Sequence, residues 1–201
     1  MDRRARKTTA AIREEVLKQM LGKKYSEMTV SEICEAADLS RRTFYLHYRD
    51  IDDVFAEIFE IVNQPLFAGI EELEKNYVHG QNEDYELGEI FRLINRTIED
   101  NTAYLTRLAT EPSYFHVQMR HISLMKKLIN DHLKHEGDSG IRTIYLDYYI
   151  SGILELYMQW YRREHNMSLD DIRNFALAII KADRKYFLSQ YEIRITEHRE
   201  S

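Results

Sequence analysis

The chain has 201 residues, 44% of them hydrophobic and 31% charged, with a single cysteine; this is globular composition, long enough for a small domain and one of ordinary size, and it excludes an internal disulfide. The net charge of −6 is unevenly spread: residues 1–50 hold eleven Lys/Arg against eight Asp/Glu, so the acidic excess lies in the rest of the chain and one end alone is suited to a polyanion. No run of about 18 apolar residues occurs, and the charged start is not followed by an apolar block, so neither a membrane span nor a signal peptide is expected and the expected location is the cytoplasm.

Two prolines, seven glycines and few alternating β-branched runs predict an all-α protein. Thr8 or Thr9 opens the first helix, Ile12, Val16, Leu17, Met20 and Leu21 form its apolar stripe, and Gly22 ends it. Thr29 followed three residues later by Glu32 is a capping box, after which Val30, Ile33, Cys34 and Ala37 share one face of a short second helix. Asp38-Leu39 stands where the chain must reverse, and aspartate tolerates a left-handed backbone better than most residues. Ser40 then caps a third helix, with Phe44 and Tyr48 facing inward and Arg41, Arg42, Tyr45 and His47 facing out. This is a helix-turn-helix pattern with DNA chemistry on its outer face. Arginine offers two parallel donors to guanine O6 and N7, whereas hydroxyls, imidazole and helix-start amides suit phosphate oxygens. Arg3, Arg4, Arg6 and Lys7 form a basic arm ahead of the first helix, either a tracker of phosphates or a minor groove or simply a solvated terminus.

Met28-Thr29-Val30-Ser31-Glu32-Ile33, then Ala36-Ala37-Asp38-Leu39-Ser40, then Arg42-Thr43-Phe44-Tyr45 and His47-Tyr48 make an ordered set. Over about residues 8–60 the chain resembles the N-terminal domain of TetR-family transcriptional regulators. That resemblance implies a three-helix DNA-binding head over 1–50 and a long fourth helix leading into an all-helical ligand-binding and dimerisation domain over 51–201. It also implies a homodimer, generally a repressor, that reads a palindromic double-stranded operator. Carried over by position, Arg41 and Arg42 are the base readers, and Thr29, Ser40, Thr43, Tyr45 and His47 are positioning contacts. Two departures stand out. Asp38 occupies a turn position where the family often has glycine, and Ile51, followed by Asp52 and Asp53, occupies one where it often has a phosphate-binding lysine. Arg49, two residues earlier, is the nearest cation that could stand in for that lysine, and the role is not assigned to it.

Asp50 caps the fourth helix, whose Ile51, Val54, Phe55, Ile58, Phe59 and Val62 keep helical period until Pro65, where a kink or break is expected. Leu66, Phe67, Ile70 and Leu73 resume it, and residues 79–82 read as a loop. Helices follow at about 85–100, around Tyr104, Leu105 and Leu108, and, beyond Pro112, at about 113–134; a glycine-containing linker spans 136–140. The last two helices, about 141–163 and 169–191, are rich in apolar residues, the first of them nearly all round, which calls for two burial partners. By resemblance this pair forms the dimer interface, and the surplus apolar surface agrees with an oligomer.

Eleven of the fourteen tyrosines lie beyond residue 76. Aromatic walls with hydroxyl handles suit a small apolar or aromatic effector, and by position Phe91, Leu108, Phe115, Met119, Tyr148 and Tyr149 are the candidates, against the plainer reading of core or interface. His132 and His135, one turn apart, have a spacing that suits a divalent metal, but the last turn of a helix, where exposed carbonyls favour positive charge, is the stronger account of them. No metal or cofactor is therefore expected. His116 and His121, five apart, do not share a face. Cys34, on the inward stripe, reads as a small core residue. No nucleophile elbow, phosphate loop or zincin motif occurs, so an enzyme is not expected. The alternative reading is a TetR-like adaptor acting through protein contacts with little DNA affinity, supported by Ile51 and the acidic residues after it.

Overall fold

The computed structural model describes residues 3–75, 83–133 and 140–187. Among these residues there are no strands, and the chain runs through α1 Arg3–Gly22, α2 Val30–Ala36, α3 Arg41–Tyr45, α4 Ile51–Lys75, α5 Glu83–Asp100, α6 Thr102–Thr110, α7 Phe115–Leu133, α8 Gly140–Tyr161 and α9 Leu169–Phe187, with 3-10 turns at Tyr25–Glu27 and Pro112–Tyr114. No helix among the described residues is long and apolar enough to cross a membrane.

α1 begins earlier than Thr8. The threonine hydroxyls do not cap it; Thr8 donates back to the Arg4 carbonyl at 3.1 Å and Thr9 to that of Arg6 at 3.3 Å, as these residues do inside a helix. Arginine, alanine and lysine are strong helix formers, so the basic arm is the first turn of α1. Ile12, Val16 and Met20 are fully buried, whereas Leu21, included in the predicted stripe, lies 54% exposed because it sits about 100° round the helix from Met20.

The turn between α2 and α3 follows from local chemistry. Asp38 has φ 53°, the Leu39 amide bonds the Cys34 carbonyl at 2.8 Å and the Asp38 amide that of Glu35 at 3.2 Å. This pair of bonds closes α2 in a Schellman motif with aspartate at the left-handed position. The chain uses the same device after α8, where Arg163 has φ 55° and Glu164 and Arg163 bond back to Gln159 and Trp160.

α4 passes through Pro65 without a break. Proline deprives the Ile61 carbonyl of its helical partner; Ile61 and Pro65 both lie on the exposed side, where water can take the vacated acceptor. Gly69 lets α4 approach α5, since a Cβ there would come within 2.6 Å of a Leu93 methyl.

One apolar core fills the three-helix head with Ile12, Val16, Ile33, Phe44 and Phe55 and continues into Tyr104, Leu108, Tyr114 and Val117 of α6, the second 3-10 turn and α7; a second joins Phe91 and Ile98 to Tyr157, Tyr161, Ile172 and Ala176. Polar bonds reinforce the junction. α1 has no basic residue in its last turn, and its terminal carbonyls are satisfied from outside: Arg107 donates to those of Met20 (3.1 Å) and Lys23 (3.0 Å), and the Tyr114 hydroxyl also reaches Lys23 at 3.0 Å. The Tyr25 amide donates to the Ser113 hydroxyl at 3.0 Å and the Tyr25 hydroxyl to Asp52 at 2.6 Å.

Candidate nucleic-acid interface and buried cavity

The second and third helices carry the caps their sequence demands. Thr29 accepts from the Glu32 amide at 3.2 Å and donates to the Glu32 carboxylate at 2.9 Å. Ser40 accepts from the Thr43 amide at 3.0 Å, and the Ser40 and Thr43 hydroxyls lie 2.8 Å apart. These three predicted contact residues are exposed or half-exposed, but each already holds its helix start in shape. Arg41 and Arg42 are exposed, and neither side chain has a hydrogen bond or ion pair among the described residues. Tyr45 is 50% exposed, edge-on to Phe44 at 5.5 Å between ring centres, and His47 is half-buried beside Tyr48. Leu46 is 72% exposed, an apolar side chain that the sequence reading passed over because it falls just beyond the last turn of α3.

Beneath this face the chain is held firmly. Phe44 is fully buried and Tyr48 nearly so. The Tyr48 hydroxyl donates to Glu57 of α4, which Arg13 of α1 also meets at 2.8 Å. Burial beside that carboxylate pushes the Tyr48 pKa up. The segment just after α3 is thus tied to both of the longer head helices.

The start of α4 departs from a phosphate-binding pattern. Ile51 is buried in the head core. Asp50 accepts from the Asp53 amide at 2.9 Å, and Asp53 takes two bonds from the Arg49 guanidinium at 2.8 and 2.7 Å, which with the Arg49 amide hold its pKa down at about 2. Arg49 is therefore engaged with Asp53. Asp52 is occupied by Tyr25 and lies 3.3 Å from His116. Cys34 is 2% exposed and burial raises its pKa, as fits an unreactive core thiol.

Behind the head, residues of α4 to α9 line a partly open cavity of about 330 Å³. Phe91, Leu108 and Tyr149 line it. Phe115, Met119 and Tyr148, named with them from the sequence, do not; they are 60%, 42% and 74% exposed on the outer faces of α7 and α8. Spacing along a helix reveals a stripe but not which of two stripes faces inward. The wall also holds residues that the sequence reading did not select, among them Phe59, Asn63, Tyr104, Met125, Tyr157 and Tyr161.

His121 lines the cavity while His116 faces Asp52, so the two do lie on different faces. The Phe55 carbonyl, 3.2 Å from His121 Nε2, can only accept, which makes that nitrogen the donor; Nδ1, 3.2 Å from the Tyr104 hydroxyl, is then the acceptor. Burial lowers the His121 pKa to about 4, which agrees with a neutral ring. His132 and His135 lie outside the described residues, His135 altogether and His132 for its side chain, as does the loop predicted at 79–82.

A capped two-helix unit joined by a left-handed turn and braced by a third helix defines a helix-turn-helix domain, here set on an all-helical body with a partly open cavity. Residues 17–58 match the sequence model of bacterial regulatory proteins of the tetR family. No curated protein matches the chain. Among solved structures it is similar to a TetR transcriptional regulator from Streptococcus agalactiae 2603V (19% identity, 89% of this chain and 96% of that one, TM-score 0.57) and to DhaS, an activator of a dihydroxyacetone kinase operon (18%, 89% and 97%, 0.53). It is also similar to Thermus thermophilus FadR, a TetR-family repressor in complex with lauroyl-CoA (17%, 86% and 92%, 0.51). At these identities the likeness is one of fold.

Proposed function

We propose that the protein is a homodimeric transcriptional regulator, acting as a repressor, with residues 1–50 as the DNA-binding head and 51–201 as the effector-binding and dimerisation domain. α3 enters successive major grooves of a palindromic operator. The observation that carries this reading is the Arg41–Arg42 pair, exposed and unengaged at a capped helix start that Phe44, Tyr48, Glu57 and Arg13 hold in place. The repressor sign follows the resemblance of the head rather than any geometry. A second copy of the chain covers the outer face of α8 and α9, where Ile144, Tyr148, Phe175 and Ile179 are 41–74% exposed; a pair of helices with this much apolar surface outside its own core suits a two-fold bundle.

An apolar or aromatic effector in the cavity changes the separation of the two heads. Two wall elements reach the head directly. α6 turns Tyr104 and Leu108 to the cavity and Arg107 to the end of α1, and His121 holds the backbone of α4 at Phe55. A ligand that shifts either moves the head with it. The support for an adaptor weakens, since the acidic residues after Ile51 are engaged within the protein. Selection of bound duplexes from a random pool tests the proposal: a palindrome with half-sites about one helical turn apart is expected, and no enriched sequence would overturn it. Equal operator affinity with and without cavity ligand would remove the allosteric step.

A further inference from the structure

The basic turn that opens α1 holds the whole positive excess of the head. Residues 1–7 carry four Lys/Arg against one aspartate, whereas residues 8–50 carry seven against seven. Of those seven cations, Arg13, Lys18, Lys23 and Arg49 are paired with Glu57, Glu15, Glu32 and Asp53. Arg3, Arg6 and Lys7 are exposed, and their side chains make no hydrogen bond or ion pair among the described residues. Their i, i+3, i+4 spacing puts them on one face of α1. Like charges at that spacing repel, and cations at the start of a helix meet the positive end of its dipole; α1 has no acidic residue in its first turn to offset either. An anion against this face relieves both.

This turn stands beside the end of α3. Thr9 lines an open surface groove together with His47 and Tyr48, and from Thr9 the helix runs back to Arg3 over about 9 Å of axis. Of the three carboxylates on that groove, Asp53 is held by Arg49 and Glu57 by Arg13 and Tyr48, so only Glu60 is left to offset the basic turn. The start of α4 offers no such cation, since Ile51 is buried and Arg49 is engaged by Asp53. Resting on the reading of the head as DNA-binding, we propose that Arg3, Arg6 and Lys7 form a second contact surface for duplex DNA. They grip the sugar-phosphate backbone next to the major groove that α3 enters, and supply phosphate contacts that the start of α4 lacks. The side chains carry this contact, not the helix-end amides, and the helix holds them at fixed spacing. Charges on phosphate read no sequence, so this surface sets affinity and salt dependence and leaves base preference to α3.

The test is salt-dependent binding of the whole chain to two duplexes, one selected by the protein from a random pool and one of mixed sequence, with phosphate-ethylation interference mapped on the first. In Arg3→Gln/Arg6→Gln/Lys7→Gln the slope of log affinity against log salt is expected to become shallower by about 2, for one phosphate lost from each of two heads at about 0.9 each, and by more for further contacts. Affinity for both duplexes should fall by the same factor, about 10-fold or more at about 0.1 M salt. A subset of the interfering phosphates should disappear while base preference stays as it was. Glutamine is a good helix former, and Arg3→Lys/Arg6→Lys, which keeps the charges, is expected to retain the parent slope. A lysine variant as weak as the glutamine one would trace the loss to the fold instead of the charge and overturn the inference. So would an unchanged slope and phosphate map in the glutamine variant, or an altered base preference, which would place the turn in the minor groove. Failure of the underlying reading looks different: a parent chain that binds neither duplex removes the DNA-binding head itself, whereas an unchanged glutamine variant of a parent that does bind removes this surface alone.

Discussion

Tyr157 and Tyr161 stand one turn apart on α8, both buried and both on the cavity wall, but only Tyr157 has a hydroxyl partner, Asn95 Oδ1 at 2.8 Å. Removing each hydroxyl is therefore expected to move stability in opposite directions. A buried polar group without a partner costs about 1–3 kcal/mol, and the void left by one oxygen costs a few tenths at most. Tyr161→Phe should thus stabilise the ligand-free protein by about 1 kcal/mol, which for a chain of this length raises Tm by about 2–4 °C. Tyr157→Phe loses a bond and strands Asn95 Oδ1, and should cost about 1–2 kcal/mol. The assay is thermal unfolding by far-ultraviolet circular dichroism at one fixed protein concentration, because association raises apparent stability. If both variants melted below the parent, the Tyr161 hydroxyl would have a partner in solution and the reasoning from its isolation would be refuted.

His121 gives the fold a defined pH response. Its folded pKa of about 4 lies below the unfolded value near 6.5, so its neutral form costs nothing above pH ~6.5; as pH falls towards ~4 the unfolded chain takes up a proton that the folded chain refuses, and stability drops by about 3 kcal/mol in total. Urea unfolding at pH 7 and pH 5 should therefore show a smaller pH effect in His121→Gln than in the parent, and equal effects would contradict the assignment. On a selected operator, Arg42→Ala should cost about 1–3 kcal/mol and relax preference at one base position, while Tyr45→Phe should weaken all duplexes alike; gel-shift titrations check both, and unchanged binding by Arg42→Ala would remove it as a base reader. Asp38→Val should destabilise the head by roughly 1–2 kcal/mol, because a β-branched side chain is strained at a φ of 53°; a melt equal to the parent's would argue against the Schellman closure of α2.

The head was legible because its determinants are local. Thr29, Ser40 and Asp50 act on amides three residues ahead, and Asp38 stands at the turn position its chemistry suits, so spacing alone located them. The start of α1 was misplaced for a local reason too: threonines that cap at a terminus also bond back within a helix, and sequence does not say which. Pro65 was read as an interruption, but one lost bond on the wet side of a helix whose other face is buried by Val54, Ile58 and Leu66 does not end it. Cavity residues were harder. Phe91 and Tyr149 face inward while Met119 and Tyr148, with similar apolar spacing, face out. On α8, apolar all round, no pattern in the chain distinguishes the side that meets the cavity from the side left uncovered. His121 and Tyr161 were missed for a related reason, since their importance lies in partners on other elements, Tyr104 and Phe55 for the one and none for the other.

The central claim, that the outer face of α3 binds duplex DNA as part of a two-headed assembly, is tested most directly by the salt dependence of binding to a duplex selected by the protein. Each phosphate contact contributes a slope of about −0.9 in log affinity against log salt, so about three contacts from each of two heads give a slope near −5, at a stoichiometry of two chains per duplex. A flat response, or one chain per site, would contradict the account.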